Sequence, residues 1–289
     1  MNTENLLNLY EEVSDELKFH GISSTRTKIM ISLNEEAKKT RDLREELGLT
    51  SSTILHGISE LERQSLVFRR GDKYLLSQTG QILAPKIIDM INTLGVIKEY
   101  EKFWLNHEIR DIPNDLIMQI GNLNNSLLIE AEPTNIVKPL REFIDYLLKS
   151  KNIRALSPVC HKDFVESMRI MVDKDVKIEL ILTERIIDKI IKSNDLSIIS
   201  IVVKMVKNKN HKLWVLKEDT TISFTAADIF LSLGLFSEKG GFDPTKVLIS
   251  TDKDAIDWGN TLFEYYVKKA EKFKLKSILK DSIQSKSKI

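Results

Sequence analysis

Several features that mark particular classes of protein are scarce or missing in this chain. Cys160 is its single cysteine, so an internal disulfide and a four-cysteine zinc site are both excluded. No apolar run approaches the ~20 residues that span a bilayer. The N-terminus also lacks the basic segment and the apolar segment of a signal peptide. We therefore expect a soluble cytoplasmic protein.

An excess of charge of one sign is missing too. The 289 residues carry 43 Lys and Arg against 42 Asp and Glu. Such a balance neither requires nor excludes nucleic acid as a partner, because the distribution of charge matters more than its total. Apolar residues make up 42% and charged residues 29%, which is ordinary for a globular protein. The length predicts about two domains.

The chain contains no G-x-G-x-x-G, Walker A or G-x-S-x-G sequence. Its five histidines show no metal-ligand spacing, so we expect neither a metal nor a cofactor. The run His161-Lys162-Asp163 has the residue types of a phospholipase site. Contiguous residues at a helix start point ~100° apart, however, and the chain has one such run where that chemistry needs two. We therefore predict that the chain is not an enzyme.

Residues 40–62 carry the pattern of a helix-turn-helix. Thr40 is the predicted N-cap of a first helix. Gly48 follows it, where a left-handed backbone is needed to turn the chain sharply. Thr50 or Ser51 is the predicted N-cap of a second helix. Two helices joined by a short glycine turn are the geometry of a DNA-binding helix-turn-helix.

The second helix, predicted over 51–64, has a polar outer face that suits the major groove of DNA. Ile54, Ile58 and Leu61 are predicted to be its buried side. Short polar side chains at the N-terminal end of such a helix can reach base edges, and the helix N-terminus favours phosphate oxygens. The predicted base-contacting residues are Ser52, Thr53 and His56, and Ser51 at the start of the helix is also predicted to contact DNA.

A β-hairpin with a basic tip follows directly, with strands predicted over 66–70 and 73–77 and Gly71-Asp72 as the turn. This is the position of the wing in a winged helix, which touches phosphates or the minor groove. A solvated basic turn is the alternative. The predicted phosphate-contacting residues are Arg69, Arg70 and Lys73 on the hairpin, and Arg41 on the first helix of the motif.

Residues 80–104 are predicted to form one long helix. Its apolar positions repeat at alternating spacings of four and three, which is a heptad seam. Such a seam is either an intramolecular core face or a dimer interface, and the pattern leaves both open. The seam consists of Leu83, Ile87, Met90, Leu94 and Ile97.

Beyond Pro113 the predicted strands and helices alternate, which favours an α/β domain with a largely parallel sheet. The predicted strands are 125–131, 153–157, 176–182, 212–217 and 220–225, and the predicted helices are 134–149, 162–172, 184–207 and 253–274. The expected domains are a winged helix-turn-helix (1–80), a linker or dimerisation helix (81–110), an α/β regulatory domain (111–275) and a basic tail (276–289).

Five residues of the α/β domain are candidates for binding an effector. Ser157 and His161 lie where a strand ends and a helix starts, and ligands of parallel sheets favour the crevice beyond the carboxyl ends of strands. Lys212 and Trp214 open another predicted strand. Asp228 lies in a run with few charges, where an acid is costly unless it is paired or faces a pocket. A structural or partly exposed Asp228 is the alternative.

The order winged helix, long helix, α/β domain resembles the methanogenesis-regulator type of archaeal transcription factor over almost the whole chain. The resemblance implies a homodimeric regulator whose middle domain is similar to one phospholipase D half without its catalytic activity. The segments that carry it are Ile112-Pro113 followed by Gln119-Ile120-Gly121, Ser157-Pro158, the run from Phe230 to Phe236, and Asp257-Trp258-Gly259 leading to Leu262-Phe263-Glu264-Tyr265-Tyr266.

We therefore predict a sequence-specific transcriptional regulator that binds double-stranded DNA as a homodimer and responds to a small-molecule effector. From residue 26 to residue 86 the chain has eleven Lys and Arg against eight Asp and Glu. This is a weak surplus for one domain, and a dimer would double the phosphate contacts. The alternatives are a winged helix used for protein contact and, less favoured, a phosphodiesterase.

Overall fold

The computed structural model describes residues 2–193 and 195–274. The chain divides into two compact units, Met1–Asn92 and Thr93–Ile289, and the predicted linker segment contains this division. The basic tail predicted over 276–289 lies outside the described residues. Within the described ranges, no helix combines the length and the apolar character needed to cross a membrane.

The first unit is a bundle of short helices followed by a β-hairpin. Its elements are α1 (Thr3–Ile22), α2 (Ser24–Glu35), α3 (Thr40–Leu47), α4 (Ser51–Arg63), β1 (Val67–Arg70), β2 (Lys73–Leu76) and the first part of α5 (Gln78–Glu99). Helix, helix, helix and hairpin in this order form a winged helix-turn-helix arrangement, as the residue pattern predicts. One apolar cluster from α2, α3, α4, the hairpin and α5 forms its core.

The long helix predicted over 80–104 is broken in two. α5 ends at Glu99, and a short α6 (Glu101–Leu105) follows after Tyr100. Tyr100 is buried, and its hydroxyl donates to the carbonyl of Ser126. Burial raises the pKa of Tyr100 to about 12. This tertiary contact of Tyr100 accounts for the break in the helix. The heptad spacing does not predict it.

The heptad seam of α5 divides into two parts. Leu83 and Ile87 pack against the core of the first unit, whereas Met90, Leu94 and Ile97 are each at least half exposed. The intramolecular interpretation therefore holds for the first part of the seam. The second part is only partly covered by the described residues.

The second unit contains one eight-stranded sheet. The strands are β3 (Leu127–Glu130), β4 (Asn152–Ser157), β5 (Lys177–Thr183), β6 (His211–Leu216), β7 (Ile222–Ala227), β8 (Leu231–Leu235), β9 (Lys246–Ser250) and β10 (Glu271–Lys272). The helices after α6 are α7 (Asn114–Ile117), α8 (Lys138–Leu147), α9 (Lys162–Asp173), α10 (Glu184–Ser193), α11 (Leu196–Lys207) and α12 (Lys253–Lys269), with a 3-10 helix at Ile120–Leu123.

The prediction of a mostly parallel sheet is wrong. The strand order is β10-β6-β5-β4-β7-β8-β9-β3, and parallel pairing occurs between β4 and β5 and between β5 and β6. The other described neighbours are antiparallel. Parallel neighbours need a crossover such as a helix. β7 and β8 are joined by three residues, so they form a hairpin and add antiparallel edges.

The two faces of the sheet carry separate cores. α12 covers one face, where Trp258 and Phe263 are buried and the Trp258 indole donates to the Leu116 carbonyl at 2.9 Å. α8, α9, α10 and α11 cover the opposite face. The segment predicted as one helix over 184–207 is two helices, because Asp195 caps α11 through the backbone amides of Ser197 and Ile198. Central strand β5 is buried after its first residue, as predicted.

A buried histidine ties the chain after α6 to the connection between β8 and β9. His107 Nδ1 lies 2.6 Å from the Phe103 carbonyl oxygen, and its Nε2 lies 3.1 Å from Asp243 Oδ2. Because the carbonyl can only accept, Nδ1 donates to it. Burial by itself raises the pKa of Asp243. Hydrogen bonds from Thr245 and His107 outweigh burial and hold the Asp243 pKa below its usual value.

We expect Asp243→Asn to lower the free energy of unfolding by about 1.5 kcal/mol at pH 7, the scale of a hydrogen bond to a charged group. The folded-state pKa is depressed. The stabilisation by Asp243 is therefore present above the unfolded-state pKa of ~3.9 and is lost as the pH falls through the folded-state pKa. Urea unfolding between pH 3 and pH 7 tests this. A difference between the two proteins that does not shrink towards pH 3 would contradict the assignment.

Candidate nucleic-acid interface

The turn between α3 and α4 has the geometry that the sequence predicts. Gly48 adopts the left-handed conformation with φ 63°, and its amide donates to the Arg44 carbonyl at 3.1 Å. A side chain would be strained at this φ. Thr50 caps α4, with its hydroxyl accepting from the Thr53 amide at 3.2 Å. These local bonds set the direction in which α4 leaves the turn.

The predicted N-cap of α3 is wrong by one residue. Thr40 is the first residue of the helix, and Lys39 occupies the cap position. The Lys39 amide donates to Asp42 Oδ2 at 2.9 Å. An acidic residue three positions after the cap can accept this bond, so the capping does not require the Thr40 hydroxyl.

Helix α4 has a buried apolar side and an exposed polar side, as predicted. Ile54, Ile58 and Leu61 are at most 1% exposed. Of the predicted DNA-contacting residues on this helix, Ser51, Ser52 and His56 are exposed, whereas Thr53 is half-buried. The Thr50 hydroxyl lies 2.9 Å from Ser52 Oγ and 2.8 Å from Thr53 Oγ1. The first turn of α4 thus presents a linked group of hydroxyls.

An ion pair fixes α4 to α2. Arg26 Nη1 lies 2.7 Å from Glu60 Oε2, and both side chains are largely buried. The hydrogen bond from Arg26 holds the pKa of Glu60 below its usual value. Exposed His56 lies 3.8 Å from Glu60 on the same helix. Glu60 is already paired with Arg26, so His56 remains available on the outer face.

The hairpin after α4 presents basic side chains around a two-residue turn. Gly71 has φ 64°, and Arg70 pairs with Lys73 in the strand register. Arg69, Arg70 and Lys73 are all exposed. Arg69 Nε donates to the Gly71 carbonyl at 2.9 Å. This bond occupies one guanidinium nitrogen and leaves the other two for a phosphate.

The connection between α2 and α3 supports the hairpin. The backbones of Lys38 and Tyr74 exchange hydrogen bonds of 3.1 and 2.8 Å, which adds a bridge beside β2. Lys39 Nζ lies 2.6 Å from Asp72 Oδ2 at the tip. This contact raises the pKa of Lys39 and lowers that of Asp72. The tip is therefore attached to the start of the helix-turn-helix.

Arg41 is less free than the sequence suggests. It is exposed on α3, but its Nε lies 2.8 Å from Glu45 Oε1 one turn later. The pair raises the pKa of Arg41. A phosphate would have to compete with Glu45 for the guanidinium.

Leu55 belongs to the outer face of α4, and the sequence pattern did not identify it as a candidate residue. It is 45% exposed and lies between Ser52 and Ser59 at helical spacing. An apolar side chain there can contact the methyl group of thymine. Placing residues 52, 55, 56 and 59 on a helical wheel would have identified it.

The structure does not bring the five candidate effector residues together. Ser157 is buried at the carboxyl end of β4 and donates to the Val159 carbonyl at 2.7 Å. His161 caps α9, where its ring accepts from the Asp163 amide at 3.3 Å. These two lie near each other at one end of the sheet. His161 takes a capping role that the contiguous His-Lys-Asp run does not reveal.

Lys212 and Asp228 lie away from that end, and the role of all five residues in effector binding stays a prediction. Lys212 Nζ lies 3.2 Å from the buried Glu179 carboxylate. Asp228 is exposed and accepts the backbone amide of Lys151 at 2.9 Å. Trp214 is partly buried, and its indole nitrogen has no hydrogen-bond partner within the part of the chain that the structure describes.

Two family models match the chain. The model described as the N-terminal domain of methanogenesis regulatory protein FilR1 matches residues 14–95, and that described as its middle domain matches residues 136–269. The chain is also similar to methanogenesis regulatory protein FilR1 of Methanothrix harundinacea (strain 6Ac), with 25% identity over 276 residues. This match covers 93% of the chain and 61% of the relative, so the chain spans about three fifths of the relative's length.

The matched solved structures are more distant. TrmBL2, described as an archaeal chromatin protein, has 14% identity and a TM-score of 0.40, and the match covers 89% of this chain and 98% of that one. A MarR/EmrR family regulator from Acinetobacter sp. ADP1 has 19% identity and a TM-score of 0.25, covering 42% and 86%. Scores this low do not establish a shared fold.

Proposed function

We propose that this chain, a FilR1-type regulator and not an enzyme, is a sequence-specific transcriptional regulator that binds double-stranded DNA as a homodimer. The observation that carries the proposal is the exposure of Ser51, Ser52 and His56 on a helix whose apolar side is buried. A polar outer face on the second helix of a helix-turn-helix is the surface that enters the major groove.

The exposed groups divide into two roles. The hydrogen-bond donors and acceptors of α4 that face the base edges belong to Ser52, His56 and half-buried Thr53. Ser51 lies at the helix N-terminus, where phosphate oxygens are favoured. The hairpin residues and Arg41 contact phosphates, which orient the protein without reading sequence. The proposed phosphate-contacting set is Arg41, Arg69, Arg70 and Lys73.

Fluorescence anisotropy with duplexes from upstream of the chain's own coding sequence tests the proposal. Specific regulators bind their sites ~10³-fold or more tightly than random DNA. We expect one upstream segment to reach that ratio at fixed salt. Equal affinity for every duplex would contradict the proposal that binding is sequence-specific. No binding to any duplex at low salt would instead favour the winged helix as a surface for protein contact.

The proposal of a homodimer is supported by apolar side chains that are exposed on two helices. Both sets lie on helical stripes, and large exposed apolar patches mark protein interfaces. On α1 the exposed residues are Leu6, Leu7, Leu9, Tyr10 and Leu17, between 42% and 59% exposed. On α5 they are Ile82, Met90, Ile91, Leu94 and Ile97, between 40% and 72% exposed.

Replacing Met90 and Leu94 of α5 with glutamate should convert a dimer into a monomer, because four carboxylates would be buried in the paired interface. Native mass spectrometry measures the mass of the assembly and so distinguishes a dimer from a monomer. Loss of the second half-site should weaken binding to DNA by about 10²-fold. The matched control is Met118→Glu with Leu196→Glu, which are also exposed apolar residues. A dimer mass in the α5 variant would exclude this part of α5 from the interface.

The second unit is proposed to sense an effector that changes the affinity for DNA. Its support is the family of the chain, whose members are named as regulatory proteins. Titration of DNA binding with candidate small molecules tests this role.

A further inference from the structure

A polar pocket lies in the second unit between α12 and the amino-terminal halves of β4 and β5. Its floor contains Arg154 on β4, with Glu179 on β5 and Ala226 on β7 as its neighbours in the strand register. Ile256 and Asn260 of α12 form a wall. Its volume is about 180 Å³, somewhat more than the ~150 Å³ of a cavity that admits benzene. The pocket therefore has room for a small organic molecule.

Glu179 brings to this pocket a buried carboxylate with one oxygen that lacks a hydrogen-bond donor. Its side chain is 8% exposed, and its Oε2 accepts from Lys212 Nζ at 3.2 Å. Its Oε1 lies 3.9 Å from Arg154 Nη2, too far for a hydrogen bond, and accepts none from the residues that the structure describes. An unsatisfied buried oxygen is costly. A ligand N–H can satisfy it, and a charged ammonium forms the stronger bond.

Arg154 is held in place with one edge of its guanidinium unoccupied. Its Nη1 lies 3.0 Å from Glu264 Oε1 and donates to Asn260 Oδ1 at 3.4 Å. Within residues 2–193 and 195–274, its Nε and Nη2 make no hydrogen bond. Two adjacent N–H groups of this kind bind a carboxylate in a bidentate manner. Because the side chain is already fixed, little of its conformational entropy is lost when a ligand binds.

Lys177 places a second cation at the opening of the pocket. It precedes Glu179 by two residues on β5, so the two side chains lie on the same face of the sheet, ~7 Å apart along the strand. Lys177 is exposed and lines the pocket. It forms no ion pair among the described residues, and its ammonium is therefore available to a ligand carboxylate.

The charged groups in and beside the pocket are balanced in sign. A simple anion would pair with Arg154 but leave Glu179 Oε1 without a donor, whereas a simple cation would leave the arginine edge empty. A ligand that carries both charges satisfies both groups. The cations are Arg154, Lys177 and Lys212, and the carboxylates are Glu179, Asp228 and Glu264.

We propose that this pocket binds a small aliphatic α-amino acid, with its ammonium on Glu179 Oε1 and its carboxylate on the free edge of Arg154 beside Lys177. A single carbon joins the two charged groups of an α-amino acid, which suits partners on neighbouring strands ~4.8 Å apart. Ala226 and Ile256 offer an apolar surface to the aliphatic side chain. Binding depends on the pocket alone. Its role as the effector site rests on the proposed function.

Isothermal titration calorimetry of the full chain with glycine, L-alanine, L-valine and L-leucine tests the binding. We expect saturable binding of at least one of them with a Kd below about 1 mM, an affinity that a few well-placed polar contacts can give to a ligand of this size. Analogues of the tightest ligand that lack one charge should each bind at least ~10-fold more weakly. For L-valine these are 3-methylbutanoate, which lacks the ammonium, and isobutylamine, which lacks the carboxylate.

Variants of β5 identify the pocket as the place of binding. Glu179→Gln should weaken binding of the amino acid at least ~10-fold, because the ammonium loses its charged acceptor. Exposed Lys177→Gln should weaken it about 3-fold. The control for the lysine variant is Lys174→Gln, which changes the net charge equally at an exposed position outside the pocket and should leave the Kd unchanged. Thermal unfolding first establishes that each variant is folded. Should Glu179→Gln fail to fold, the lysine pair and the analogues still decide.

No saturable heat and no rise in the thermal midpoint with any of the four amino acids would overturn the proposal. Equal affinity for the amino acid and for either analogue would also overturn it, as would an unchanged Kd in a folded Glu179→Gln variant. These measurements do not involve DNA. Amino acid binding by a chain that binds no duplex would therefore contradict the proposed function and leave the pocket assignment intact. A DNA affinity that the bound amino acid does not change would overturn only the effector role.

Discussion

Replacing both Arg69 and Arg70 with alanine should weaken binding to every DNA sequence and flatten its dependence on salt. Both side chains are exposed on the hairpin beside the turn. Each phosphate contact contributes ~0.9 to the slope of log affinity against log salt, and the loss of two arginines from each of two protomers should lower the slope by about 4. Affinity should fall roughly 10³-fold in low salt, taking ~1 kcal/mol for each of the four contacts in the dimer.

The matched control removes two arginines from the second unit. Arg169 and Arg185 are exposed there, and their double alanine variant has the same change in net charge. We expect its affinity and salt slope to match those of the unmodified chain. Equal slopes for the hairpin variant and the unmodified chain would place the hairpin outside the DNA interface. Equal losses of DNA affinity in the two double variants would mean that the total charge of the protein, and not the hairpin, attracts the DNA.

Replacing Gly80 with alanine should destabilise the first unit by about 3 kcal/mol, the upper range for overpacking. A Cβ at this position would overlap the backbone oxygen of Leu66. That oxygen accepts the Ser77 amide at 2.9 Å, a bond that closes the hairpin. Helix propensity alone predicts the opposite sign, since alanine is favoured over glycine within a helix by ~1 kcal/mol. The sign of the change therefore decides whether this close approach exists.

Gly241→Ala is the control, because no atom lies within 4 Å of its added Cβ. We expect it to change stability by less than about 0.5 kcal/mol. Thermal unfolding of the two full-length variants measures the difference. A Gly80→Ala protein as stable as the unmodified chain would show that the Leu66 backbone can move away. We also expect Gly80→Ala to reduce DNA binding, because the displaced oxygen holds the hairpin.

The helix-turn-helix was predictable because its determinants are local. A left-handed glycine at position 48, a hydroxyl cap at position 50 and three apolar residues on one side of α4 act over a few residues. The two-residue turn at Gly71 likewise determines the hairpin. Sequence spacing reports such features directly. The error at Thr40 is of the same local kind, since the side chain of Asp42 accepts the backbone amide of the cap residue Lys39.

The errors in the second unit have a different origin. The residue pattern identifies β3, β4, β5, β6 and β7, but neither β8 nor β9. It also does not predict that β7, β8, β9 and β3 add to one side of β4 in antiparallel order. The candidate effector residues were each placed by local position, and strand pairing then separated Lys212 and Asp228 from Ser157. An apolar cavity lined by Cys160 and by residues of α9, α10, α11, β5 and β6 was not found either, because its lining is spread between Val159 and Leu213.

By itself, the sequence determined the winged helix-turn-helix, its outward polar face and the alternation of strands and helices behind it, because these depend on backbone conformation and side-chain periodicity over short stretches. Only the tertiary structure decided the mixed sheet, the break at Tyr100, the exposure of part of α5 and the cavity beside Cys160. Each of these features depends on which distant segments of the chain pack together and exclude water. The spacing of residues along the chain does not determine that packing.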